Sequence, residues 1–174
     1  TGMKVNAFFA PDYAGVIEAM RFNKVQVAWY GNKAAMEAVD RADGEIFVQT
    51  SDKDGNPGYW SVLIVNKDST FKSFAHVMAK ASELTFSNGD PNSTSGFLVP
   101  GYYLFAKNGV DPKKAFKRVL NANHETNALA VINKQVDVAT NNTENLRVIK
   151  EKAPDQYAQI KELWRSPLIP SDPI

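Results

Sequence analysis

Short apolar runs rich in Val, Ile and Phe recur along the chain, separated by stretches in which apolar residues fall three or four positions apart. The runs predict strands at Val5–Phe9, Val25–Trp29, Glu45–Gln49, Trp60–Asn66, Leu84–Ser87, Arg118–Asn121, Val136–Thr140 and Leu163–Ser166. Between them, Tyr13/Ile17/Met20, Ala35/Met36/Val39 and Leu98/Tyr102/Phe105 give the spacing of one apolar helix face each. Alternation of this kind predicts an α/β fold with largely parallel sheets.

Two stretches echo one another. Residues 19–28, Ala-Met-Arg-Phe-Asn-Lys-Val-Gln-Val-Ala, and residues 130–139, Ala-Val-Ile-Asn-Lys-Gln-Val-Asp-Val-Ala, each read as a helix end, an Asn-Lys turn and a V-x-V-A strand. The echo predicts two lobes built on one supersecondary plan, although a motif match of this length also arises by chance. Gly55-Asn56-Pro57-Gly58 marks a turn, after which the strand from Tyr59 to Lys67 would cross from the first lobe to the second. The expected division is a first lobe over 1–60, a second over 61–165, and a return crossing over the extended, Pro-rich 166–174. Thr1 to Val5 reads as the tail of an earlier helix entering a strand, so the chain is expected to be a piece of a longer protein whose first lobe is incomplete here.

Composition narrows the function classes. The 174 residues are 44% apolar and 22% charged, enough for a core that needs no metal or disulfide support. A formal charge of +1 with no Lys/Arg stripe argues against nucleic acid as a partner. There is no Cys, and no apolar run approaches the ~20 residues of a membrane span, so neither thiolate chemistry nor membrane insertion is expected. An exported protein would have had its leader removed. Two His without Cys and without an H-E-x-x-H motif make a zinc site unexpected.

In open parallel sheets, ligands lie outside the carboxyl ends of strands. The segments just past the predicted strands hold most of the chemically active side chains. Asn92-Ser93-Thr94-Ser95-Gly96 opens a helix, where free N–H groups and hydroxyls can hold a tetrahedral oxyanion; an ordinary N-cap explains the same residues. Pro100 requires that helix either to begin near Phe97 or to bend in its first turn. His124 stands at a second strand-to-helix junction and can donate to an oxyanion or simply lie at the surface. Tyr13 and Tyr59 can line a cleft or cover core, and Glu144 and Asp172 in loops are ordinarily solvated. A hydrolase would use Ser93 or Ser95 as nucleophile, His124 as base and Glu144 or Asp172 to orient it, but neither serine stands in G-x-S-x-G.

The runs at 5–15, 57–65, 89–103 and 124–130, with 136–144 and 166–170, closely resemble the phosphonate-binding periplasmic proteins of bacterial phosphonate ABC importers. The resemblance covers essentially the whole chain. It implies a type II periplasmic binding fold, two α/β lobes joined by two crossover strands and closing on a ligand. It implies binding without chemistry and without a cofactor: capture of an organophosphonate, foremost 2-aminoethylphosphonate, in the periplasm, and delivery to an inner-membrane permease and its ATPase. Carried over by position, Ser93, Thr94, Ser95, His124, Tyr13 and Tyr59 would contact the phosphonate group, and Glu144 and Asp172 the amino group. An inorganic phosphate or sulfate binder is the alternative within the same class. Hydroxyls and helix N–H groups supply the donors that a phosphonate dianion needs without a fixed cation in the cleft.

Overall fold

The computed structural model describes residues 2–51 and 55–174; the reading at Thr1 lies outside them. A five-stranded mixed sheet organises the larger part of the chain. Its strands are β2 (Ser61–Asn66), β3 (Thr85–Asn88), β4 (Arg118–Asn121), β5 (Val138–Asn142) and β6 (Ile160–Arg165), in the order β4-β3-β5-β2-β6. β3 runs parallel to both β4 and β5, whereas β2 is antiparallel to β5 and β6. A two-residue ladder joins β1 (Gly58–Tyr59) to β7 (Ile169–Pro170), antiparallel.

β2 is buried along its whole length. Alternate residues of a strand point to opposite faces, and here Leu63 and Val65 enter a core with Val77, Phe86, Leu104, Phe105 and Phe116. Val62 and Ile64 enter another with Ala128, Val131, Ala139 and Leu146. Helices therefore cover both faces, α3 (Phe74–Met78) and the helical segment beginning at Thr94 on one side, α5 (His124–Ile132) and α6 (Thr143–Lys152) on the other. The short helices α4 (Pro112–Ala115) and α7 (Pro154–Tyr157) connect into β4 and β6. A third, smaller core joins α1 (Tyr13–Arg21) to α2 (Asn32–Ala42) through Ile17, Tyr30, Ala34, Ala35 and Ala38.

Three predicted strands are absent. Val5–Phe9 and Val25–Trp29 join no ladder among the described residues, and Glu45–Gln49 meets only the short end 172–174, through the Gln49–Pro173 bridge and the bonds Phe47 N to Ile174 O and Ile174 N to Val48 O. Their apolar side chains stay in solvent: Val5, Phe9, Val27 and Phe47 are all exposed. A strand is held by ladder bonds from a neighbour, and among the described residues the first two runs have none while the third has too short a one to build a ladder. Arg118–Asn121 forms as predicted, and the ends of the other four strands move by no more than three residues. Trp60 leaves the ladder because its N–H goes to Thr143 Oγ at 3.1 Å. Two helix faces are also turned: α2 buries Ala34, Ala35 and Ala38 while Met36 and Val39 are exposed, and Phe105 is buried with Leu104, leaving Leu98 and Tyr102 outside.

Candidate functional site

The helical segment from Thr94 starts at once, with Ser93 as its N-cap, and takes π turns rather than α turns. Leu98 N bonds Ser93 O at 3.1 Å, and Val99 N bonds Thr94 O. Pro100 has no N–H with which to continue the series onto Ser95 O. That carbonyl accepts the Ser61 hydroxyl instead, at 2.6 Å, and the next one, Gly96 O, accepts Gly89 N at 2.9 Å and the Thr140 hydroxyl at 2.7 Å. The proline thus turns helix carbonyls toward the sheet and fastens the 88–96 loop to it. Gly89 and Gly96 lie backbone to backbone: a Cβ on Gly89 would stand 2.5 Å from Gly96.

On this platform the candidate side chains converge. Ser93 Oγ and Ser95 Oγ lie 3.4 Å and 3.3 Å from His124 Nε2. The Tyr13 hydroxyl lies beside Ser93, and the Tyr59 hydroxyl beside Ser95 and Asp172. Ser93 Oγ accepts Gly96 N at 2.9 Å, Ser95 Oγ accepts Asn142 Nδ2 at 3.0 Å, and Thr94 Oγ accepts Lys33 N at 2.8 Å. Each hydroxyl thereby receives an N–H, and its own single proton remains to be donated. A cleft of about 650 Å³ opens beside Tyr13, lined also by Trp29, Asp90, Asn123, Thr126 and Asp172.

Among the described residues, no Lys or Arg side chain lines the cleft. Burial lowers the His124 pKa to about 4, so the imidazole is neutral at pH 7. Burial likewise raises Tyr13 and Tyr59, which remain phenols with a proton to give. Asp172 is also raised, by desolvation, against hydrogen bonds from Tyr59 and Trp29 that lower it. Trp29 Nε1 donates to Asp172 Oδ2 at 3.2 Å, while Asp172 Oδ1 is buried without a partner. Glu144 stands apart, on the first turn of α6, where Oε2 pairs with Arg147 Nη2 at 2.9 Å. It still shares a small pocket of about 210 Å³ with Tyr59, Trp29 and Asp172.

His124 Nδ1 is buried with no hydrogen-bond partner. A Ser-His-acid triad needs a carboxylate at that nitrogen to orient the imidazole, and here both Glu144 and Asp172 are engaged elsewhere. Among the described residues, no group of His, Asp and Glu is arranged to hold a metal, and no helix is long and apolar enough to cross a membrane.

A family model described as "ABC transporter, phosphonate, periplasmic substrate-binding protein" matches residues 1–174. The chain belongs to this family. It is 68% identical over 173 residues to the phosphonates-binding periplasmic protein of Escherichia coli K12, covering 99% of this chain and 51% of that one. The crystal structure of a binding protein component of an ABC phosphonate transporter from Pseudomonas aeruginosa superposes with a TM-score of 0.97 at 66% identity, over 99% of this chain and 57% of that one. The phosphate-import protein of Mycolicibacterium smegmatis is 31% identical over 182 residues, 97% of this chain and 54% of that one. The chain spans about half the length of these relatives. Members of the family are periplasmic substrate-binding components of transporters, and the fold is that of the periplasmic binding proteins.

Several side chains of the site escape sequence reasoning. Asn142, Asp90 and Trp29 were legible only as strand-end or core positions, and Asn127 only as one more polar residue on a helix. Asn127 is fully buried and donates to Ser87 O, Asn88 O and Thr140 O while accepting the Ser87 hydroxyl at 2.6 Å, so it locks α5 to the strand ends. The one available signal was the run Asn141-Asn142-Thr143 after a buried strand: Asn141 Nδ2 holds His124 O at 2.8 Å and Asn142 holds Ser95.

Proposed function

We propose that this chain is the ligand-holding part of a protein that captures an organophosphonate, with 2-aminoethylphosphonate as the favoured ligand, and delivers it from the periplasm to an inner-membrane permease and its ATPase. The observation that carries the reading is the pair of hydroxyls on Ser93 and Ser95, each accepting an N–H and each within 3.4 Å of Nε2 of a neutral His124. Such donors satisfy a phosphonate without a fixed cation, and Tyr13 and Tyr59 add two more. The amino end falls to Asp172, whose buried Oδ1 lacks a partner, with Glu144 contributing less because Arg147 already pairs with it. The division into a lobe over 1–60, a lobe over 61–165 and a return crossing over 166–174 is supported by the five-stranded sheet, which lies wholly within 61–165, and by the short β1–β7 ladder beside it.

Inorganic phosphate is a second reading, favoured by the relative described as a phosphate-import protein. Calorimetric titration of the full-length protein with 2-aminoethylphosphonate, ethylphosphonate, phosphate and sulfate separates the two. The amine should improve affinity over ethylphosphonate by about tenfold or more, ~1.4 kcal/mol, and Asp172→Asn should erase that advantage while leaving ethylphosphonate within about threefold. Tighter binding of phosphate than of either phosphonate overturns the reading in favour of the second.

A further inference from the structure

The 88–96 loop has a second face that the ligand reading does not use. Thr94, buried beneath the loop, accepts the backbone N–H of Lys33 at 2.8 Å. Lys33 is the second residue of α2, and an N–H in that position has no acceptor within its own helix. Gly31 makes the approach close: a Cβ there would lie 3.2 Å from Thr94 Oγ. Two further contacts join the same pieces. Lys33 Nζ reaches Asn92 Oδ1 at 3.3 Å, and Tyr13 N, the first residue of α1, points to Asp90 Oδ2 at 3.4 Å. Asp90 Oδ1 meanwhile accepts Asn92 N at 2.8 Å, which fixes the carboxylate.

A carboxylate beside an anion cradle is unfavourable for the anion. Its position is accounted for if it serves another group, and the group at hand is Tyr13, whose hydroxyl reaches Ser93. From these contacts we infer that Thr94 and Asp90 are positioning residues forming a two-point latch, which fastens the first turns of α2 and α1 to the loop that holds the ligand. The inference rests on the phosphonate-binding reading for its purpose, but the latch itself is a statement about two hydrogen bonds. Its consequence is that one loop both grips the ligand with Ser93 and Ser95 and draws in Tyr13 from the other side of the cleft. Ligand capture and closure are then coupled, since whatever orders the loop also orders the latch.

Amide hydrogen exchange in the full-length protein, read residue by residue by NMR, tests this directly. A first-turn amide left to solvent exchanges almost freely, whereas the Lys33 amide should be protected at least about tenfold. Thr94→Val should remove that protection and Thr94→Ser should keep it; methylphosphonate should deepen it in the parent. A Lys33 amide that is unprotected in the parent, or as protected in Thr94→Val as in the parent, overturns the latch. Should Thr94→Val not fold, Lys33→Pro removes the donor at a first-turn position that tolerates proline. Compared with Lys33→Ala, it should speed methylphosphonate dissociation about fivefold or more, and equal dissociation rates overturn the latch. A parent that binds no phosphonate defeats the functional reading alone, because the exchange of Lys33 still decides the latch.

Discussion

Helices α1 and α5, with the turns that follow them, are two versions of one local design. Asp12 and Asn123 cap them by accepting Gly15 N and Thr126 N, Tyr13 and His124 are their first residues, and both of these side chains reach Ser93. At the far ends the turns match bond for bond. Lys24 N and Val25 N return to Ala19 O as Gln135 N and Val136 N return to Ala130 O, and Asn23 and Lys134 take the same positive φ, 55° and 56°. Beyond the turn the two part. Val138 and Ala139 enter the central strand and are fully buried, whereas Val27 is 66% exposed and belongs to no strand. Capping, helix and turn are settled by neighbours within a few residues, and the strand is settled by partners far away in the chain.

The sharpest way to break the comparison is to put the same charge at the matched valines of this chain. Val138→Asp should cost at least about 4 kcal/mol, because it buries an unpaired carboxyl between β3 and β2, and Val27→Asp should stay within about 0.5 kcal/mol. Denaturant midpoints of the two variants check this, and comparable losses would mean that residues 25–28 are packed after all.

A smaller difference separates the two first residues. His124 has its pKa lowered by burial, from an ordinary value near 6.5 to about 4. The unfolded chain therefore takes up a proton that the folded one refuses as pH falls from about 6.5 to about 4, and stability drops across that window by up to about 3 kcal/mol. His124→Asn should flatten the slope in urea titrations at pH 7 and pH 4.5. Tyr13→Phe should leave it unchanged, since the phenol does not titrate there. The smallest effect concerns the caps. Asp12→Ala and Asn123→Ala should each lower stability by about 1 kcal/mol, and thermal midpoints that differ more than twofold in their shifts would show that the two helix starts are not equivalent.

Much of the site was legible because it sits where strands end. Ser93, Ser95 and His124 were placed by that rule and a resemblance, Tyr13 by the same rule applied to a strand that does not form, and Tyr59 at a proposed crossover; the two serines do meet His124, with the tyrosines beside them. Glu144 shows the limit. Its partner Arg147 lies three residues on, a spacing that an amphipathic reading of α6 would have exposed, but the sequence does not say which of two near acids remains unpaired. In the fold, β2 to β6 were found to within a few residues, while Val5–Phe9, Val25–Trp29 and Glu45–Gln49 were read as strands because their apolar runs are indistinguishable from β2's. What separates them is the presence of a long enough neighbour, which no local pattern encodes.

Pro100 carries a mechanical consequence. By leaving Ser95 O and Gly96 O to Ser61, Gly89 and Thr140, it ties the first helical turn to β2, β3 and β5 through side chains and main chain at once. The turn proposed to meet the ligand is thereby anchored to the sheet beneath it. Compliance is left to the thin places, chiefly the two-residue ladder of Gly58–Tyr59 with Ile169–Pro170. In the proposed two-lobe division, a swing of one half of the cleft against the other would twist that ladder.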